Sequence, residues 1–247
     1  MNTNPNSAKF SLPRLLWAGL LVVACLPCGL AEEPDAEPPQ PTLQTQVEFI
    51  EVTQERYTAL VAGNHTTGND SALREELAAM VTKGEAEVVE TLVCTARDCH
   101  TVTTESVTEF IYPVEFDPQE LPPNADSKGL EDAAGPAPAA WDQRNLGSTL
   151  EVETVFDHES GTVDLRFDAE MVRLIKNWIW FEWNGKHGTC HIQTPVFYTL
   201  RCNQNVFLIP GQPLLASTLT PKGQDGMPDP TRKVMVFVKC DLIPTDN

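Results

Sequence analysis

From Gly147 almost to Ile243 the sequence is a succession of strand-like runs broken by turn signals, and that pattern limits the chain more than any other feature. Leu150–Phe156 and Thr162–Phe167 flank Asp157-His158-Glu159-Ser160-Gly161. Trp178–Trp183 and Lys186–Ile192 flank Asn184-Gly185, a dipeptide suited to a two-residue hairpin turn. Phe197–Ile209, Pro213–Leu219 and Lys233–Ile243 supply three more runs. Connections this short leave no room for crossover helices, so the strands must pair antiparallel.

The region before it has a different rhythm. Gln46–Val52 reads as a strand and Thr53–Val61 as a short helix. Leu73, Leu77, Met80 and Val81 share one helical face in Ala72–Lys83, with Asp70 or Ser71 as cap and Gly84 as stop. Glu87–Thr95 and Thr101–Tyr112 then read as a hairpin across Ala96-Arg97-Asp98. The expected class is α+β: a small strand-helix-strand part over residues 43–112 ending in a β-hairpin, then an antiparallel β-rich region over 141–247. Between them, residues 113–140 form an acidic, Pro-rich loop.

Leu15–Leu26 is an apolar run of twelve residues behind Lys9 and Arg14, so residues 1–31 read as a signal peptide and the chain as exported. Cleavage after Ala31 is favoured; Val22-Val23-Ala24-Cys25 is the lipobox-like alternative, which would place a lipid on Cys25. Residues 32–42 form an acidic Pro-rich tether. Asp and Glu number 35 against 17 Lys and Arg, a formal charge of −18. An anionic chain lacks the phosphate-neutralising surface of a nucleic-acid binder.

Little in the sequence suggests catalysis. G-x-S-x-G, G-x-G-x-x-G and P-loop patterns are absent, and the acids are too numerous for any pair to stand out. The expectation is a protein that is not an enzyme and takes no cofactor. His187, Cys190, His191 and Cys202 are zinc-ligand types, yet adjacent Cys190 and His191 point to opposite faces of a strand, so no metal site is expected. Asp225 and Asp229 read as turn residues rather than calcium ligands. Asn64 and Asn69 stand in glycosylation patterns that matter only in a eukaryotic secretory pathway. Cys94 and Cys99 bracket the expected hairpin turn and are candidates for a cross-strand disulfide, with two unpaired thiols as the alternative. Alternation puts Trp178 and Trp180 with Glu182 on one face, and Phe181 and Trp183 with Ile179 on the other. Both faces of that strand are then apolar, as in a doubly covered core strand or one that meets lipid.

Three stretches in order resemble the C-terminal region of secretins, the outer-membrane channel subunits of type II and III secretion systems and type IV pili. They are E-F-I-Y-P-V-E-F-D-P from Glu109, W-D-Q-R-N-L-G-S-T-L-E-V-E from Trp141 followed by S-G-T-V-D-L-R-F, and T-P-V-F-Y-T-L-R-C-N-Q-N-V-F-L-I-P-G-Q-P-L-L-A-S-T-L from Thr194. Arg144 and Gly147 resemble the family's Arg-x-x-Gly, and Pro210-Gly211-Gln212 its Asp-Gly-Gln turn. Ser217-Thr218-Leu219 stands where the family has Gly-Gly-Leu. The resemblance implies a homo-oligomer at the outer membrane, partnered by secretion or pilus machinery, with this chain a reduced or accessory secretin-like subunit. The alternative is a soluble or lipid-anchored periplasmic module that keeps the fold without forming a pore.

Overall fold

Leu43, Val47 and Phe49 point one way from a twelve-residue strand, and Ile50 and Val52 the other, so this strand must be covered on both sides. In the computed structural model, which describes residues 40–63, 68–117, 135–186 and 188–244, it is. The strand, β1 (Thr42–Thr53), leads into α1 (Gln54–Gly63) and α2 (Ser71–Lys83), then β2 (Ala86–Arg97) and β3 (Thr101–Asp117). The chain continues as β4 (Ala137–Asp157), β5 (Thr162–Gly185), β6 (Gly188–Leu208), β7 (Leu214–Leu219) and β8 (Arg232–Ile243).

Two antiparallel sheets form, in the orders β2-β1-β8-β7 and β3-β4-β5-β6. Val47, Phe49, Val236 and Val238 of the first pack on Leu150, Leu165, Phe167 and Met171 of the second. On the other face of the first sheet, Ile50, Met235 and Phe237 receive Leu60 of α1 and Leu73, Leu77 and Met80 of α2. The fold is therefore α+β in three layers, with β1 and β8 in the middle. The apolar face read for α2 is the one buried. Asp70 and Gly84 sit at its two caps, Gly84 in the left-handed conformation at φ 75°.

The expected hairpin of β2 with β3 does not form. β2 pairs with β1, and β3 pairs with β4 in the other sheet. The three residues between them carry the chain across: Asp98 is buried and its carboxylate accepts the Phe156 N–H at 2.8 Å, while the Cys99 N–H reaches the Thr154 carbonyl at 2.8 Å. The disulfide expected of Cys94 and Cys99 loses its basis with the hairpin. Cys94 is buried between the sheets, Cys99 is exposed on the crossing turn, and both thiols are free. Burial pushes the Cys94, Cys202 and Cys240 thiols up to about 11.

The two regions expected as successive parts are interleaved, since β1 pairs with β8 along its whole length. The expected loop over 113–140 is shorter than its composition suggested: β3 continues to Asp117 and β4 begins at Ala137. Pro113 does not end β3 and Pro195 does not end β6; both strands are edges of the second sheet, where proline within a strand is tolerated. The remainder of that loop, the signal peptide, most of the tether, Cys25 and Asn64 lie outside the described residues.

Candidate functional site

The second sheet outgrows the core. Val163, Leu165, Phe167, Ala169, Met171 and Val172 of β5 are buried, and from Arg173 to Gly185 no residue of the same strand is. Runs that read as separate strands at Thr162–Phe167 and Trp178–Trp183 are one continuous strand, because nothing between them breaks extended backbone. The last partners of β4 and β5 are Gly147 and Val172. Beyond them β4 pairs only with β3 and β5 only with β6, so the sheet divides into two long hairpins.

Gly147 stands at this division with φ 131°, and a Cβ there would lie 2.1 Å from the Ser106 carbonyl oxygen. No other residue fits. Arg144, three residues earlier, links the two hairpins: its guanidinium donates to the Thr199 hydroxyl at 3.0 Å and lies 5.2 Å over the Phe197 ring. Phe110 and Tyr112 of β3 close on the same ring at 6.0 and 5.5 Å. At the tips, the Cys190 thiol donates to the Pro136 carbonyl at 3.2 Å, and Trp183 is half-buried against Gly135.

The remaining aromatics of the β5–β6 hairpin are turned outward. Trp178 and Trp180 are 54% and 65% exposed and stack on each other at 5.2 Å. Ile179 and Phe181 are 46% and 48% exposed. The register shifts between Ile179 and Phe181, which makes Trp180 a bulge residue and interrupts the strict alternation expected there. The Trp180 indole N–H is satisfied by the Thr194 hydroxyl at 2.9 Å, and the Lys176 ammonium lies 5.9 Å over Trp178. Of the two sequence readings, the doubly covered core strand is not what forms. On the neighbouring hairpin Ile111, Val114 and Trp141 are exposed as well.

Pro210-Gly211-Gln212 carries the chain from β6 in one sheet to β7 in the other. Gly211 has φ 83° and its N–H reaches the Cys240 carbonyl at 2.8 Å, while the Gln212 N–H closes on Ile209 at 3.0 Å. This turn is fastened from the far side by Asp70, which sequence reasoning took for a helix cap alone. Its carboxylate is buried and accepts the Leu215 N–H at 2.7 Å instead of a helical N–H.

Where the second sheet leaves the core, a cavity of about 540 Å³ opens among Glu51, Glu87, Arg173, Tyr198, Lys222 and Arg232. Burial raises the Glu51 carboxyl above its ordinary value against the opposing pull of Arg232, which pairs with it. Glu87, directly across the strand pair, adds to the rise. These residues come from β1, β2, β5, β6, β8 and the loop that precedes β8, so no sequence spacing announces them.

The metal-ligand types do not converge. Cys190 faces Pro136, His191 meets Glu182 at 3.1 Å on the exposed side, Cys202 is in the core, and the His187 side chain lies outside the described residues. Asp225 and Asp229 accept the N–H groups of Met227 and Thr231, as turn residues do. Asn69 likewise receives the Ser71 N–H.

Neither a family model nor a curated protein matches the sequence. Among solved structures the chain is similar to the Salmonella SPI-1 type III secretion injectisome secretin InvG, at 8% identity over 84% of this chain and 66% of that one, with a TM-score of 0.43. Aeromonas hydrophila ExeD is similar at 9% identity over 83% and 49%, with a TM-score of 0.42. The V. cholerae type IV competence pilus secretin PilQ is similar at 10% identity over 84% and 62%, with a TM-score of 0.40. The chain thus spans between about half and two thirds of these chains.

Proposed function

We propose that copies of this chain pool the strands of their second sheet into one assembly at the outer membrane, as a reduced or accessory secretin-like subunit in protein secretion or pilus biogenesis. The observation that carries the proposal is the exposed outer half of the β5–β6 hairpin. Arg173 to Gly185 extends past the core for roughly 40 Å at about 3.3 Å per residue, longer than the 9–11 residues a tilted strand needs to cross a bilayer. It carries Trp178, Ile179, Trp180 and Phe181 on its surface, with the indole N–H of Trp180 internally satisfied. Unsatisfied strand edges cannot face lipid, so such a hairpin enters a bilayer only when neighbouring copies close the sheet.

The secretion or pilus role rests on the sequence resemblance around Arg144, Gly147 and the Pro210-Gly211-Gln212 turn. Unboiled outer-membrane extracts run on a denaturing gel test the reading. It requires a heat-resistant multimer that withstands high-salt washing; a monomer released by salt or found in the periplasmic fraction rejects it.

A further inference from the structure

The cavity where the second sheet leaves the core reverses the charge balance of the chain. Its wall holds three cations, Arg173, Lys222 and Arg232, against two carboxylates, Glu51 and Glu87, although acids outnumber bases 35 to 17 overall. Arg232 is taken up by Glu51. Arg173 is exposed and gives one guanidinium N–H to the Val89 carbonyl at 3.4 Å, which leaves most of its donors uncommitted. The Lys222 ammonium has no hydrogen bond or ion pair among the described residues. Its position is fixed all the same. Lys222 pairs with Pro228 in an isolated bridge, the Gly223 N–H closes on the Met227 carbonyl at 2.8 Å, and the Lys176 ammonium ties this loop to β5 through the Asp225 carbonyl at 3.1 Å.

Apolar surface and open backbone accompany these cations. Val89, Leu174, Ile175, Leu200 and Pro221 belong to the same wall. β5 loses β4 as its ladder partner after Val172, so on that edge the backbone of Arg173–Ile175 has no strand beside it. Ile175 is also a bulge residue against β6 and has no partner in that ladder. Backbone groups left in this way require a hydrogen-bonding partner, either water or a further strand.

From this arrangement we infer that the cavity captures the carboxyl end of an extended polypeptide. Arg173 and Lys222 hold the terminal carboxylate, and the last apolar side chains lie on Leu174, Ile175 and Leu200. A segment of about three residues, roughly 10 Å at about 3.3 Å each, matches Arg173–Ile175 and supplies the missing ladder bonds. The charge balance accepts one carboxylate and not two, because Glu87 and the Glu51 opposite it on β1 repel a second negative group. The cavity volume of about 540 Å³ falls within the usual range of ligand sites, about 300–1,000 Å³. Every one of these residues belongs to one copy, so the site goes beyond the assembly proposed above and does not depend on it.

Titration calorimetry of the native protein, monomeric or assembled, with the peptide acetyl-Ala-Val-Ala-Val as probe tests the inference. The free acid should bind. Its C-terminal amide, and the free acid with Glu in place of the last Val, should each bind at least about tenfold more weakly. Lys222→Gln and Arg173→Gln should weaken the free acid by a similar factor and leave the circular dichroism spectrum unchanged, since both side chains are exposed. Amide hydrogen exchange supplies a readout that needs no variant: exchange across Arg173–Ile175 should slow when the peptide saturates the site. Failure of the free acid to bind, equal binding of acid and amide, or acetate binding as tightly as the peptide overturns the inference. So does undiminished affinity in folded Lys222→Gln, or exchange at Arg173–Ile175 that the bound peptide leaves unchanged.

Discussion

Replacing Gly147 with Ala puts the heaviest demand on the account, because this residue lies where β4 leaves β5. Two costs add. A side chain at φ 131° is strained by about 1–3 kcal/mol. The new Cβ also falls 2.1 Å from the Ser106 carbonyl oxygen and 2.9 Å from the Val107 Cα, both backbone atoms of β3 that cannot rotate away. Relieving that overlap means opening the β3–β4 ladder, which overpacking data place at about 1–3 kcal/mol more. The sum, about 2–6 kcal/mol, corresponds to a fall in Tm of roughly 4–24 °C for a chain of this size. Gly188→Ala is the control: its φ is 134° but nothing lies within 4 Å of its Cβ position, so only strain at an exposed tip is added. Urea unfolding followed by circular dichroism gives both values. A loss below about 1 kcal/mol for Gly147→Ala, or equal losses for the two variants, refutes the close-contact argument.

Other expectations follow from single contacts. In the native protein a thiol reagent should modify Cys99 quickly and leave Cys94, Cys202 and Cys240 until the chain unfolds; Cys94 reacting as fast as Cys99 would contradict the inter-sheet core. Because burial raises the Glu51 carboxyl, its contribution to stability is fully present below the ordinary carboxyl value and lost as pH rises through the raised one. Glu51→Gln should therefore flatten the loss of stability as pH rises above the ordinary carboxyl range, and an unchanged slope there would exclude Glu51 as the source. Asp70→Ala leaves the Leu215 N–H without its acceptor and should cost about 1–3 kcal/mol, with faster amide exchange at Leu215; Asp70→Asn keeps an acceptor oxygen and should recover most of the loss. The emission of Trp178 and Trp180 should be quenched readily by aqueous acrylamide in the monomer, and a protected spectrum there would contradict their exposure.

What the sequence disclosed depended on the range of the forces involved. The helix at Ser71–Lys83 and its glycine stop are set by neighbours within a few residues and were legible. The hairpin near Asn184-Gly185 was legible too, but those two residues pair with Thr189 and Gly188 at the end of β5, so the turn falls after them and not on them. The α+β class followed from the change of period near Gly84. Strand partners were not legible where local pattern and tertiary packing disagreed. The Thr/Val runs of β2 and β3 look like a hairpin, but buried Asp98 and the inter-sheet core draw them into different sheets. The continuity of β5 was missed because Phe167 to Trp178 lacks an alternating pattern yet contains no breaker. The bulge at Trp180 has no signature among consecutive aromatics. Gly147 and Arg144 were singled out by resemblance, and only the clash at Ser106 and the stacking on Phe197 gave them physical roles. The cavity around Glu51 and Arg232 needed the fold itself.

The central claim is that one chain cannot complete this β structure and several together do. Light scattering of the detergent-extracted native protein measures it directly. The account predicts a protein mass that is a large whole-number multiple of the mass of one chain. A mass of one chain for the parent, under conditions in which circular dichroism shows it folded, would contradict the account.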